Sequence, residues 1–203
     1  MSKVSLNVLD LYSGFGGASE AFLEAGDHVL RIENNPLLSS VPATTMMDVQ
    51  ELEDFLYEHA RRDGIPIKPD LIWASPPCLE FSQAYDAPGP RARRAGIEFE
   101  PDMRLVESAI TIIEILQPKW WVIENVRGAI PHFADRLGEP RQNVGPFVLW
   151  GRFPELRLSK DFQHRKADHD KRHSPLRSNH RARIPLEVSQ ALRTAILTQR
   201  QII

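Results

Sequence analysis

Chemistry in this chain of 203 residues can start from one sulfur atom. Cys78 is the only cysteine, and it follows Ser75-Pro76-Pro77 directly after the apolar run 70–74. Two prolines fix the backbone, so the thiol is held out at the end of a strand, although a buried, unreactive packing cysteine is the competing reading. A single cysteine excludes an internal disulfide framework and any cysteine-rich zinc site. His169 and His173 stand four apart, but nothing completes a metal site with them, and none is expected. Further on, the buried-strand pattern 119–123 ends in Glu124-Asn125-Val126. A thiol and a carboxyl group at neighbouring strand ends suit addition to an electron-poor ring.

A second set of residues has the chemistry of a cradle. The run 4–10 ends at Asp10 and is followed by Gly14, Gly16 and Gly17. Glycines there let a backbone approach a ligand and turn helix amides toward it. The run 28–32 then delivers Glu33, 19 residues after Gly14, where a carboxylate can accept bonds from ribose hydroxyls. Asp48 and Val49 stand where another strand gives way to a helix, so Asp48 is expected either beside an adenine amino group or as a plain helix cap. The spacing GxGG disfavours a dinucleotide and suits an adenosine-type cofactor.

These residues need a scaffold that brings several strand ends together. Strand-like runs at 4–10, 28–32, 70–74, 119–123 and 147–150 alternate with helix-compatible runs at 18–24, 51–62, 103–116 and 188–197. That alternation predicts an α/β fold with a mostly parallel central sheet flanked by helices, whose ligands sit at the carboxyl ends of the strands. The stretch 79–101 shows no periodicity and reads as a long functional loop.

Taken together, Asp10-Leu11-Tyr12-Ser13-Gly14-Phe15-Gly16-Gly17, Glu33, Asp48, Pro76-Pro77-Cys78 with Phe81-Ser82, and Glu124-Asn125-Val126 resemble the DNA cytosine-5 methyltransferases, in collinear order over most of residues 4–127. The resemblance implies a Rossmann-like S-adenosylmethionine-dependent methyltransferase fold. It implies transfer of a methyl group from S-adenosylmethionine to carbon 5 of cytosine in DNA, with S-adenosylhomocysteine as second product. Cys78 would add to carbon 6, protonated Glu124 would donate to ring nitrogen 3, and Asn125 would order the strand end. Asp10, Tyr12, Ser13, Gly14, Phe15, Gly16, Gly17, Glu33, Asn34, Asp48, Val49 and Pro76 would line the cofactor. Ser82 would contact a phosphate, and Arg91, Arg93 and Arg94 would close over DNA. Duplex substrate would require the cytosine to leave the stack, at a cost of a few kcal/mol.

The resemblance thins toward the carboxyl end. The family's Gln-x-Arg-x-Arg motif has only Arg141-Gln142-Asn143-Val144 as a partial counterpart, which makes Arg141 the candidate base-contacting arginine and Arg152 the second. Ile184-Pro185 and Val188-Ser189 resemble the closing motif, with Ser189 as a further cofactor residue and the last helix packed near the glycine turn. The organisation expected is a core over 1–151, a short basic segment over 152–183 in place of a large recognition domain, and a returning helix over 184–203. Net charge is about -10 before residue 141 and +8 from there on, so the basic segment, Arg165 included, suits a phosphate backbone. Its brevity implies a specificity-providing partner or second subunit. No membrane segment or leader is evident, and a cytoplasmic, phage-like protein fits. A tRNA cytosine-5 methyltransferase and a catalytically inactive cofactor-binding partner are the alternatives.

Overall fold

A computed structural model describes residues 5–62, 68–164 and 173–200. Arg165 and His169 lie outside them. Seven strands form one sheet: β1 (Asn7–Leu11), β2 (His28–Glu33), β3 (Thr44–Met46), β4 (Leu71–Ala74), β5 (Trp120–Asn125), β6 (Gln142–Val144) and β7 (Phe147–Arg152). Their order is β3-β2-β1-β4-β5-β7-β6, parallel from β3 to β5, with β7 antiparallel to both its neighbours. The chain steps outward from β1 in one direction and from β4 in the other. The strand order therefore reverses between β1 and β4, the place where open parallel sheets receive ligands.

Among the described residues seven α-helices accompany the sheet: α1 (Glu20–Glu24), α2 (Val49–Arg62), α3 (Pro88–Ala95), α4 (Arg104–Leu116), α5 (Ile130–Leu137), α6 (Arg177–Ala182) and α7 (Leu186–Arg200). Because strand side chains alternate, each parallel strand feeds two cores. Leu9, Leu11, Ile72, Ala74 and Ile123 pack under α2, α4 and α5, while Val8, Leu71, Trp73 and Val122 pack under α1 and α7. The second face also carries the polar residues Asp10, Arg31, Glu33 and Glu124, all buried.

Several elements depart from the sequence reading. The helix expected from residue 18 starts at Glu20, because turns bonding Gly16 N to Ser13 O and Ser19 N to Gly16 O consume the chain before it. The aperiodic stretch 79–101 contains α3, which has prolines in its first turn and Gly96 in the left-handed conformation at its end, and buries no residue. The basic segment contains α6, again with no buried residue. Hydrophobic periodicity cannot report a helix that contributes nothing to the core. Among the described residues no helix is long and apolar enough to cross a membrane.

Candidate functional site

The turn after β1 and the loop after β4 lie side by side, since Leu11 pairs with Ala74 and Ser75 N donates to Leu11 O (3.1 Å). Pairing of β4 with β5 continues the row to Glu124, so Cys78, Glu124 and the glycine turn meet at one edge of the sheet. Burial pushes the Glu124 carboxyl up to about 7, against a hydrogen bond from Ser75 that pulls it down. Trp73 Nε1 donates to that same Ser75 hydroxyl (2.8 Å), which fixes its orientation. Cys78 is partly exposed. Burial first, then the charge of Glu124, raise its thiol above the ordinary range, while a backbone hydrogen bond and Arg181 pull it back.

Asn125 ties the two strand ends together. Its Nδ2 donates to Pro76 O (3.0 Å), out of water, and its Oδ1 accepts from Val126 N (2.9 Å). Phe81, 2% exposed and edge-on to Phe133, anchors the chain just beyond the thiol. Ser82 Oγ accepts from Ala84 N (3.2 Å), the bond of a local turn. Arg91, Arg93 and Arg94 are exposed on α3, and the Arg94 guanidinium lies 3.7 Å from the ring centre of Tyr85, itself 73% exposed.

The cradle has its own internal support. Arg31, fully buried, donates to Ser19 Oγ, Gly16 O, Pro42 O and Glu20. Ser19 donates to Asp10 (2.6 Å), whose carboxyl burial raises to about 7 despite Arg31. A side chain on Gly16 would strike Arg31, and one on Gly17 would strike Ile184 O. Packing therefore gives those two glycines a reason of their own, beside the ligand approach expected of them. Gly14, in the left-handed conformation, faces open space apart from Asn179. Phe15 is stacked by His180, with ring centres 4.4 Å apart.

Glu33 accepts from Gly14 N (2.8 Å), Asn34 N (3.1 Å) and Asn35 N (2.9 Å). A carboxylate offers about four acceptor positions, so about one is left for a ligand. Asp48 caps α2 by accepting from Gln50 N and also accepts from Asn34 Nδ2. Val49 is buried in the core, and Tyr12, half-buried, donates its hydroxyl to Leu105 O (2.7 Å). Two buried polar atoms at the turn, Ser13 Oγ and Asp10 Oδ1, have no hydrogen-bond partner. Buried polar atoms are nearly always satisfied, so these two, with the open space at Gly14, fit a polar ligand seated on the turn.

Three predicted residues fall away from this edge. Arg141 stands beside β6, two strands from β5, where its Nε donates to Phe153 O (2.6 Å) and it lines a groove with Arg157 and Glu187. Arg152 pairs in register with Trp121, at the amino end of β5, and donates to Pro118 O. Both arginine assignments are thus corrected: an antiparallel hairpin carries Arg152 to the wrong end of the sheet and Arg141 to its far edge. Ser189 is buried, donating to Ala18 O (2.7 Å) and accepting from Ala21 N (3.1 Å), and so pins α7 to the start of α1. Sequence reasoning passed over Ser75, Arg31 and α6; only Arg31, a charge inside an apolar run, carried a signal. Among the described residues no group of three His, Cys, Asp or Glu side chains could hold a metal ion.

Residues 6–137 match the family model described as C-5 cytosine-specific DNA methylase. Type II methyltransferase M1.HphI of Haemophilus parahaemolyticus is 31% identical over 140 residues, 64% of this chain and 34% of that protein. Type II methyltransferase M.HgiGI of Herpetosiphon aurantiacus is 28% identical over 126 residues, 61% of this chain and 93% of that protein. The match thus spans about a third of the first relative and nearly all of the second. Among solved structures, an S-adenosylmethionine-dependent methyltransferase from Agrobacterium tumefaciens superposes with a TM-score of 0.45 and 16% identity, over 74% of this chain and 56% of that one.

Proposed function

This chain belongs to the C-5 cytosine-specific DNA methylase family, and from that premise we propose that it methylates carbon 5 of cytosine in DNA through a covalent adduct at Cys78. The observation that carries the reading is the pairing of a partly exposed thiol with a buried carboxyl group pushed up to about 7 at adjoining strand ends. Carbon 5 of cytosine is too weak a nucleophile to be alkylated directly, so the ring must be activated first. The Cys78 thiolate adds to carbon 6, and Glu124 gives its proton to nitrogen 3 as negative charge develops there. Ser75 and Asn125 hold these two groups in register. After carbon 5 has been methylated it loses its proton to a base, the carbon 6–sulfur bond breaks so that Cys78 leaves as thiolate, and nitrogen 3 returns its proton to Glu124.

S-adenosylmethionine, when bound, supplies the electrophilic methyl group. The residues that would hold it are Gly14 and Phe15 of the turn, Glu33 and Asp48 at the next two strand ends, and the unsatisfied Ser13 and Asp10. DNA would be met by Arg91, Arg93 and Arg94 together with the Tyr85 ring, cations and an aromatic face on one exposed segment. The organisation we propose is a core with a short basic segment, and specificity that draws on a partner or second subunit.

The test is DNA carrying 5-fluorocytosine, incubated with S-adenosylmethionine. Fluorine cannot leave as a proton does, so the wild type should be trapped as a denaturant-stable adduct and Cys78→Ser should not. Labelled methyl transfer to RNA alone would move the assignment to an RNA methyltransferase. Tight cofactor binding with neither transfer nor adduct would move it to an inactive partner.

A further inference from the structure

The glycine turn offers a ligand fewer backbone amides than its sequence suggests. Ser13 N donates to Ile32 O (3.1 Å), Gly14 N to Glu33 (2.8 Å) and Gly16 N to Ser13 O (2.7 Å), so these three donors are taken up inside the protein. Crowding narrows the approach as well. The positions that side chains on Gly16 and Gly17 would take are filled by Arg31 and by the carbonyl of Ile184, which leaves Gly14 as the open part of the turn. Among the described residues, chain neighbours aside, only Asn179 Nδ2 comes within 4 Å of the side-chain position on Gly14, at 3.9 Å.

Asn179 belongs to α6, a helix that buries none of its residues, so core packing does not account for its place. Two contacts hold this segment to the turn. The His180 ring stacks on Phe15 with centres 4.4 Å apart, and the buried Ile184 closes on Gly17. The half-buried Asn179 side chain has no hydrogen-bond partner among the described residues, so its amide is uncommitted where the turn is open. At the same turn Asp10 Oδ1 and Ser13 Oγ are buried and unsatisfied.

These groups match unlike parts of one ligand. The amino-acid end of an adenosyl cofactor is a zwitterion, whose ammonium needs acceptors and whose carboxylate needs donors. Asp10 and the remaining acceptor position of Glu33 suit the ammonium and the ribose hydroxyls. The carboxylate is left with the Ser13 hydroxyl, which has one proton to give, and with the Asn179 amide, which has two.

We propose that Asn179 is a cofactor-binding residue: from α6 its amide donates to the carboxylate of the adenosyl cofactor seated on Gly14. This rests on the cofactor half of the proposed function and is independent of which molecule accepts the methyl group. Part of the segment expected to meet a phosphate backbone thereby serves the cofactor instead.

Calorimetric binding to the full chain without DNA tests this with two probes. S-adenosylhomocysteine carries the carboxylate, whereas methylthioadenosine keeps adenosine and sulfur but lacks the amino-acid end. Asn179→Ala should weaken S-adenosylhomocysteine about tenfold and leave methylthioadenosine unchanged. Asn179→Asp keeps the shape but sets an anion against the carboxylate, and should weaken S-adenosylhomocysteine further still. Arg177→Gln, on the same helix, should bind both probes as the wild type does. Wild-type affinity for S-adenosylhomocysteine in Asn179→Ala overturns the proposal and leaves the methyltransferase reading standing. Equal loss of both probes also overturns it, because the amide would then act through the fold or the nucleoside. A wild type that binds neither probe removes the cofactor reading together with the proposal.

Discussion

The ends of β1 and β2 and the ends of β4 and β5 solve the same problem in opposite ways. Each pair buries carboxyl groups on the α7 face of the sheet, and burial pushes Asp10 in the first and Glu124 in the second up to about 7. Beside Asp10 a buried guanidinium, Arg31, and the Ser19 hydroxyl offset the charge and knit the glycine turn together. Beside Glu124 there is only the hydroxyl of Ser75, with the tryptophan behind it. Equal burial thus goes with a charge-paired network in one region and, in the other, with the carboxyl proposed above as proton donor. What separates them is the charge of the neighbour rather than depth.

The largest effect should come from removing the second carboxyl. Glu124→Gln cannot give up a proton, and adduct formation should fall by about 10²–10⁴-fold in the fluorocytosine assay. The same variant should be more stable at pH 8. With a folded-state value of about 7 against an ordinary 4.5, the folded protein binds more protons than the unfolded chain between those pH values. Wild-type stability is therefore lost as pH rises through that window, by an amount on the order of 1–3 kcal/mol. Glu124→Gln should recover it as roughly 2–10 °C in Tm at pH 8, shrinking toward nothing at pH 4. A variant less stable than wild type at pH 8 would contradict the contrast between the two regions.

Next in size is the partner of the first carboxyl. Arg31→Met strands Asp10 and Glu20 around a buried gap and should cost about 3–5 kcal/mol in denaturant unfolding. Adding Asp10→Asn should return part of that loss. If Arg31→Met proved harmless, the claim that Arg31 makes this region structural would fail.

A subtler check lies in the pH dependence of adduct formation. The reactive pair, thiolate with protonated carboxyl, holds the same number of protons as the more abundant pair, thiol with carboxylate. Its share is thus constant between the two titrations and shrinks below them, where both groups are protonated, and above them, where neither is. The rate should climb about tenfold per unit below pH 7 and level off above it, rather than peak below 7. The smallest effect should be Ser75→Ala, which removes the bond holding the Glu124 value down and should shift that shoulder upward by less than about one unit. An unmoved shoulder would place the hydroxyl outside the proton donor's control.

How legible these regions were follows from what each residue does for the core. β1, β2, β4 and β5 are apolar runs, and their ends are marked by Gly14, Cys78 and Glu124, so thiol, carboxyl and turn could be gathered from the chain alone. Helices α3 and α6 bury nothing and left no period to find. The arginine assignments failed for a different reason. A partial likeness to the family's arginine motif favoured Arg141 and Arg152, but β7 runs antiparallel to β5, and such a return carries the chain away from the strand ends where ligands sit.

By itself the sequence determined which atoms are available for reaction and which strands present them, because residue type and hydrophobic alternation are local properties. The tertiary structure alone decided which buried carboxyl has a cation beside it. Arg31 meets Asp10 across paired strands, and His180 stacks on Phe15 from far along the chain. Such pairings are set by strand order and by where Ile184 anchors the chain on Gly17, and no short-range pattern encodes them.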